Sequence, residues 1–187
     1  MKAHSHWASR AVVLCVVGVL GWSSCRLGPG EKGDSCKAHG DCDSDLVCVD
    51  SKCATPYARR WRLTVESARL SDRDSAGDPW DGDGSGPDPY VVVAVDGQTL
   101  LRTQERADTF APAWNESVAF VLNRDTQVQL TLWDADFLIP GSVAATSNSI
   151  VREDELRQET VTAFATTGRP DAGNAITSIT WRWTLDE

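Results

Sequence analysis

Two aspartates that follow an apolar run are well placed for chemistry in this chain. Asp134 and Asp136 come directly after Val128–Trp133 (VQLTLW), whose composition is typical of a β-strand. Carboxylates at this spacing can act as a general acid and a general base, or they can hold a metal ion together. Residues two apart at the end of a strand are better suited to shared metal ligation, which is the role that we expect.

Other arrangements that support catalysis are missing from the sequence. His39 is the only histidine after the first 25 residues, and there is no G-x-S-x-G, no H-E-x-x-H and no glycine-rich phosphate loop. We therefore expect a binding module and not an enzyme.

A second acidic stretch lies about fifty residues earlier. Trp80–Gly86 (WDGDGSG) places Asp81 and Asp83 among glycines, and Asp88 follows. Stretches rich in Asp and Gly are often only solvated loops. Their carboxylates are also the hard oxygen ligands that divalent cations such as Ca²⁺ prefer, so both interpretations stay open on composition alone.

The elements that must position these residues are short β runs separated by turn signals. Trp61–Glu66 alternates apolar and polar residues, Tyr90–Val95 is a β-branched run, and Ile176–Leu185 places Trp181 and Trp183 on one face. Further candidate strands are Leu100–Glu105, Ser117–Leu122, Val128–Trp133, Asn148–Val151 and Thr160–Ala165. One or two helical turns are expected in Arg152–Glu159. About eight strands without a strong amphipathic helix predict an all-β fold, an antiparallel sandwich.

Four segments, taken in order, resemble the C2 domain family. They are Leu63–Leu70 (LTVESARL), Asp88–Val91 (DPYV), Thr109–Glu116 (TFAPAWNE) and Leu132–Asp136 (LWDAD). The resemblance covers residues 60–187 and implies an eight-stranded Greek-key sandwich. It also implies calcium-dependent binding of phospholipid or another surface ligand by loops at one end of the sandwich.

The resemblance implies a set of calcium ligands. Asp88, Asp134 and Asp136 match ligand positions of the family. The position six residues before Asp88, which usually carries a further aspartate, is Gly82 here, and Asp81 or Asp83 can take that role.

The third calcium loop departs from the family pattern. Phe137–Val143 contains no carboxylate, so we expect one ion rather than three. The resemblance makes Phe137, Leu138 and Ile139 a membrane-contact tip beside the ion. The alternative is that these three residues turn inward and pad the end of the sandwich.

The first 24 residues are typical of an export signal. Lys2 and Arg10 give a positive start, and Ala11–Leu20 is an apolar run too short for a transmembrane helix. The small residues before Cys25 resemble a bacterial lipobox, in which the cysteine is lipidated and a flexible linker (25–34) follows. We expect an outer-membrane or cell-surface lipoprotein, or a secreted protein if Cys25 is not acylated.

Residues 35–55 form a cysteine-rich segment with the spacing Cys36-x5-Cys42-x5-Cys48-x4-Cys53. In an exported chain this predicts a two-disulfide module, because so short a segment cannot bury a core of its own. Three pairings are possible, and we favour Cys36–Cys48 with Cys42–Cys53 because interleaved bridges are common in such modules. The segment resembles short Dickkopf-like motifs. Zinc is the alternative, although CxxC pairs are missing and His39 is the only nearby histidine.

The net charge of the chain limits the kinds of partner that it can bind. Acidic residues number 27 and basic residues 18, for a formal net charge of −9. Such a chain repels phosphate backbones, so we expect no nucleic-acid partner. The protein can approach an anionic membrane once a divalent cation neutralises its acidic residues. We expect a monomer whose partner is a phospholipid surface, or a protein or glycan ligand. The alternative function is calcium-independent protein–protein interaction.

Overall fold

Two four-stranded antiparallel sheets face each other in the computed structural model, which describes residues 28–74, 77–135, 143–164 and 176–186. The elements in chain order are a 3-10 turn (His39–Asp41), β1 (Val47–Val49), β2 (Lys52–Ala54), β3 (Arg59–Leu70), β4 (Pro89–Val95), β5 (Gln98–Arg102), β6 (Ala113–Leu122), β7 (Gln127–Asp134), β8 (Val143–Ile150), α1 (Glu153–Gln158), β9 (Thr160–Phe164) and β10 (Ile176–Leu185). One sheet has the order β6-β3-β10-β9 and the other β5-β4-β7-β8. The predicted all-β sandwich is confirmed.

Strand β4 illustrates why these residues form strands. Val91, Val93 and Val95 are buried, whereas the residues between them are half-buried on the outer face. Branched side chains suit a pleated strand, because one face packs into the core while the other lies at the surface. The same alternation buries Trp181 and Trp183 on β10, as the sequence predicts, and leaves Arg182 exposed.

A tight turn joins β4 to β5. Asp96 and Gly97 both have positive φ, at 49° and 80°. Two successive left-handed residues form the hairpin turn whose twist matches that of the flanking strands. The Asp96 carboxylate accepts a hydrogen bond from the Gln127 N–H (2.9 Å), and this bond ties the turn to the start of β7.

The two ends of the sandwich differ in character. β3 runs from Arg59 at one end to Leu70 at the other, and β10 runs back antiparallel beside it. We call the end near Leu70 the acidic end; it comprises the connections 77–88 and 103–112 with Asp134 and Ala135. We call the opposite end the base; it comprises the chain before Arg59, the turn 123–126 and helix α1.

The cysteine-rich segment packs on the base. Its bridges join Cys36 to Cys48 and Cys42 to Cys53, the interleaved arrangement that the spacing favours. Val47 and Val49 of β1 are buried in the same apolar core as the sandwich strands. The cysteine-rich segment therefore packs into the core of the sandwich, which its short length did not predict.

Helix α1 holds the segment in place through one side chain. Nη1 of Arg157 donates to three backbone carbonyl oxygens, those of Cys42 (3.2 Å), Asp43 (2.6 Å) and Leu46 (2.7 Å). Because a guanidinium group is always charged, these hydrogen bonds are stronger than neutral ones.

Within the described ranges, no helix has the length and apolarity needed to cross a membrane.

Candidate functional site

Two of the predicted ligand residues are joined directly at the acidic end. Asp134 is the last residue of β7 and lies opposite Pro89 in the ladder between β4 and β7. Its Oδ1 accepts a hydrogen bond of 2.7 Å from the backbone N–H of Asp88, and only 1% of Asp134 is exposed. The Ala135 N–H donates back to the Asp88 carbonyl oxygen at 3.2 Å. Asp88 and Asp134 therefore form one rigid unit between two strand ends.

The Asp88 carboxylate orders a second loop. Its Oδ1 accepts a 2.7 Å hydrogen bond from the backbone N–H of Asp108, a residue with a positive φ of 50°. Gly86 lies against this turn, where a Cβ atom would be 3.2 Å from the Asp108 carbonyl carbon. A side chain at Gly86 would therefore push the loop away. Neither Asp108 nor this close approach was singled out from the sequence, because both depend on contacts between distant segments.

The other two predicted ligands are linked through Ser85. Its hydroxyl oxygen lies 2.5 Å from Oδ1 of Asp83 and 3.2 Å from Oδ2 of Asp81, and the Ser85 N–H also donates to Asp83 (2.9 Å). The hydroxyl and then the N–H of Ser85 hold the pKa of Asp83 below its ordinary value of 3.8. Asp83 is therefore ionised at neutral pH and lies exposed at the surface.

A buried tryptophan anchors this acidic loop. Trp80 is 8% exposed, belongs to the core of the sandwich, and donates its Nε1–H to the Ser71 carbonyl oxygen at 3.0 Å. The Asp78 N–H donates to Asp74 at 2.8 Å and closes a turn just before it. Trp80 thus fixes the start of the segment that carries Asp81 and Asp83. An apolar residue in a Gly/Asp-rich stretch is the sequence signal that identifies such an anchor.

The remaining predicted site residues lie outside the described residues. These are Asp136, the tip residues Phe137, Leu138 and Ile139, and the lipidation residue Cys25. Among the described residues, the only three metal-capable side chains whose ligand atoms lie within 4.8 Å of one another are Cys36, Cys42 and Cys53. Their sulfur atoms form disulfides, so this group has no thiolate that could bind zinc.

The chemistry of the acidic end is that of hard oxygen donors. Asp88 and Asp134 lie at adjoining strand ends, and Asp81 and Asp83 share Ser85 as a partner. Backbone N–H groups donate to Asp88 and Asp83. No three of these four carboxylates have ligand atoms within 4.8 Å of one another. Ca²⁺ takes carboxylate and carbonyl oxygens, with few demands on exact geometry. The donor set therefore fits calcium, and further ligands must complete the coordination sphere.

Solved structures share this fold. A C2 domain of plant extended synaptotagmin 1 is 13% identical, and the match covers 70% of this chain and 98% of that one, with a TM-score of 0.50. Human GIVD cytosolic phospholipase A2 is 18% identical, and the match covers 68% of this chain with a TM-score of 0.50. This chain spans only 16% of the length of that phospholipase.

The phospholipase match corrects one expectation from the sequence. The expectation that the chain is not part of an enzyme was wrong, because a sandwich of this kind occurs within cytosolic phospholipase A2, which is an enzyme. The match reaches that enzyme only through its C2 domain. The sequence reasoning had searched for catalytic motifs within one chain. It did not consider that a binding sandwich can belong to a larger catalytic protein.

The family follows from the sequence match together with this fold. A family model described as the C2 domain matches residues 60–160, which is more than half of the chain. The matched range starts at the second residue of β3 and includes all four aspartates of the described site. The chain belongs to the C2 domain family.

Proposed function

We propose that the acidic end binds Ca²⁺ and, through it, an anionic phospholipid surface. C2 domains typically bind calcium and phospholipid. The observation that carries the proposal is the unit of Asp88 and Asp134, in which the nearly buried Asp134 carboxylate accepts a 2.7 Å hydrogen bond from the Asp88 backbone N–H.

Calcium would offset the net negative charge of this end. Two carboxylates about 4 Å apart would repel one another by roughly 4 kcal/mol at an effective dielectric of about 20, which is typical of pairs near a protein surface. A divalent cation between them turns this repulsion into attraction. It also allows the chain, with its formal charge of −9, to approach anionic lipid. Asp88 and Asp134 would hold a single ion together with Asp136 and one of Asp81 and Asp83.

The tip residues that follow the site in sequence would give the lipid contact an apolar part. Phe137, Leu138 and Ile139 follow the ligand positions directly in sequence. Once the ion has neutralised the loop, such residues can enter the interfacial region of a membrane, where burial of apolar surface contributes about 25 cal/mol per Å².

We also propose that the chain is exported and lipidated at Cys25, so that this activity lies outside the cytoplasm. A lipidated Cys25 would hold the protein on a membrane, and the exposed sandwich would bind its ligand there. Extracytoplasmic calcium reaches concentrations that suit weak sites, with dissociation constants of about 10⁻⁴ to 10⁻³ M.

The test is co-sedimentation of the chain from Arg26 onward with vesicles of phosphatidylserine and phosphatidylcholine, with calcium or with chelator. We expect calcium-dependent binding that Asp88→Asn/Asp134→Asn abolishes. The matched control is Asp125→Asn/Asp154→Asn, which removes the same charge from exposed positions at the base. Equal calcium-dependent binding by both double variants would contradict the proposal.

A second candidate function is calcium-independent protein–protein interaction. It is favoured by the fact that donors of the chain itself already serve two of these carboxylates, since Asp88 accepts from the Asp108 N–H and Asp83 from Ser85. Under this alternative the acidic residues only order the loops. Calcium then changes neither vesicle binding nor thermal stability.

A further inference from the structure

The only histidine after the first 25 residues, His39, lies on the 3-10 turn of the cysteine-rich segment. Its side chain is 18% exposed, and Nδ1 accepts a 2.9 Å hydrogen bond from the backbone N–H of Cys48 in β1. A ring nitrogen that accepts a hydrogen bond carries no proton. This contact therefore requires the neutral imidazole, with its proton on Nε2.

The second ring nitrogen of His39 faces a residue that is bonded to the sandwich. Nε2 lies 3.6 Å from Oε1 of Glu159, the residue between α1 and β9. Glu159 has a left-handed φ of 61°, and its carbonyl oxygen accepts a 2.6 Å hydrogen bond from the backbone N–H of Trp183 in β10. The Trp183 side chain is buried in the core. The imidazole therefore lies between the cysteine-rich segment and the sandwich.

The charged groups around the ring lie on its own turn and on the neighbouring elements. Next to the turn, the Lys37 side chain is exposed, and the Asp41 carboxylate accepts hydrogen bonds from the backbone N–H groups of Lys37 and Ala38. β1 carries no charged side chain. The charged residues of α1 are Glu153, Asp154, Glu155 and Arg157. Arg157 donates to carbonyl oxygens of the segment, Glu153 and Asp154 pair with arginines, and burial raises the pKa of Glu155. The carboxylate in contact with the imidazole is that of Glu159.

Protonation of His39 is incompatible with its hydrogen bond to Cys48. Because Nε2 already carries a proton, the second proton must bind Nδ1, and two donors then oppose each other. The partly buried Cys48 N–H loses its acceptor, which is unfavourable. The imidazolium attracts Glu159, whose side chain is 61% exposed. Acid therefore replaces a hydrogen bond within the segment by an ion pair with Glu159.

We propose that His39 is a pH-sensitive switch on the cysteine-rich segment: the neutral ring accepts the Cys48 N–H, and the protonated ring releases Cys48 and turns toward Glu159. Histidine is the side chain whose charge ordinarily changes between about pH 5 and pH 8. The Cys48 contact is complete while the ring is neutral and is lost as the pH falls and the ring is protonated. Arg157 and both disulfides still hold the segment, so the opening is local to β1. The inference depends neither on the acidic end nor on calcium.

The experiment follows the imidazole and the Cys48 amide by NMR in the isotope-labelled full chain, between about pH 8 and pH 5. The chemical shifts of the ring nitrogens report which nitrogen carries the proton. The signals of His4 and His6 persist in variants of His39, so the His39 signals are identified by their loss. Hydrogen exchange of the Cys48 amide reports whether its contact is closed. We expect the proton on Nε2 at high pH, and loss of Cys48 protection as the ring is protonated.

His39→Asn is the matched control, because Oδ1 of asparagine can replace Nδ1 as an acceptor but does not titrate. Dividing the Cys48 exchange rate by that of this variant at the same pH removes the intrinsic pH dependence of exchange. We expect a ratio of about one at high pH and of about ten in acid, as the loss of one hydrogen bond implies.

Two further variants separate the contacts of the ring. His39→Ala has no acceptor, so its Cys48 amide should exchange about tenfold faster than that of His39→Asn at every pH. Glu159→Gln removes the charge that attracts the imidazolium, so the ring should be protonated at a lower pH than in the original chain.

Two outcomes would overturn the inference. The first is a neutral His39 ring whose proton lies on Nδ1. The second is a Cys48 exchange rate whose ratio to that of His39→Asn stays constant while the ring is protonated. A protonation midpoint that Glu159→Gln does not lower would contradict the turn toward Glu159. The position of the ring proton is measured in the unaltered chain, so it decides the question even where a variant fails to fold.

Discussion

The backbone N–H of Asp88 donates a 2.7 Å hydrogen bond to Oδ1 of Asp134, although 46 residues separate the two in the chain. The bond joins the entrance of β4 to the end of β7 and aligns two acidic segments before any ligand binds. Under the proposed function, a site ordered in this way would lose little conformational entropy on binding a cation.

The two roles of Asp134 can be separated by two substitutions. Asp134→Asn keeps a carbonyl oxygen as acceptor for the Asp88 N–H, so without calcium we expect a free energy of unfolding within about 1 kcal/mol of the original. Asp134→Ala removes the acceptor and should cost about 1–3 kcal/mol. Urea denaturation in chelator measures both values. Equal stability of the two variants would show that the hydrogen bond contributes nothing.

Arg157 should contribute to stability far more than its neighbour Arg152. In Arg157→Met the apolar stem is retained, but three carbonyl oxygens lose their charged donor. We expect a loss of about 3 kcal/mol in the free energy of unfolding. Arg152→Met is the control, because the Arg152 side chain makes an exposed ion pair with Asp154 (3.1 Å), worth less than about 1 kcal/mol. Similar losses in both variants would contradict this role for Arg157.

Reducing the disulfides should destabilise the sandwich as well as the cysteine-rich segment. The bridges close loops with sequence separations of 12 and 11 residues, for which chain entropy predicts about 3 kcal/mol each. Because Val47 and Val49 belong to the core of the sandwich, we expect the cysteine-rich segment and the sandwich to unfold in one cooperative transition. Reduction of the disulfides should lower the melting temperature of that transition. Calorimetry with and without a phosphine reductant tests this. An unchanged sandwich transition would show that the two parts fold independently.

The ion pairs of Asp186 predict a dependence of stability on acid pH. The guanidinium group of Arg60, and then that of Arg62, lowers the pKa of Asp186 below the ordinary value of 3.8. The contribution to stability is therefore complete above about pH 4 and is lost as the pH falls through the lower folded-state pKa. Asp186→Asn should be less stable near neutral pH, and the difference should vanish in strong acid. A difference that does not change with pH would contradict the prediction.

Much of the sandwich was predictable because its signals are local. The alternation in Trp61–Glu66 and the valines of β4 report which face each strand buries, and turn residues mark where the strands end. The structure adds length to strands, as in β3, where Arg59 and Arg60 extend the ladder beyond the apolar pattern. Charged residues at the surface carry no periodic signal, so this extension was not visible from the sequence.

The contacts that organise the site were not predictable, because they are long-range. The sequence placed Asp88 and Asp134 at ligand positions by resemblance, but nothing in it indicates that one donates to the other. The same holds for Arg157, whose three carbonyl partners lie more than a hundred residues away. Packing of Val47 into the sandwich also depends on the whole fold, so the cysteine-rich segment was expected to rely on its bridges alone.

The decisive measurement is a calcium titration of the melting temperature of the chain from Arg26 onward, which retains the base. At a calcium concentration a hundredfold above the dissociation constant, binding to the folded state alone adds about 2.7 kcal/mol. For a domain of this size that corresponds to a rise of about 5–10 °C. We predict a saturable rise that Asp134→Asn abolishes. No rise up to millimolar calcium, or an equal rise in Asp134→Asn, would contradict a calcium site at Asp88 and Asp134.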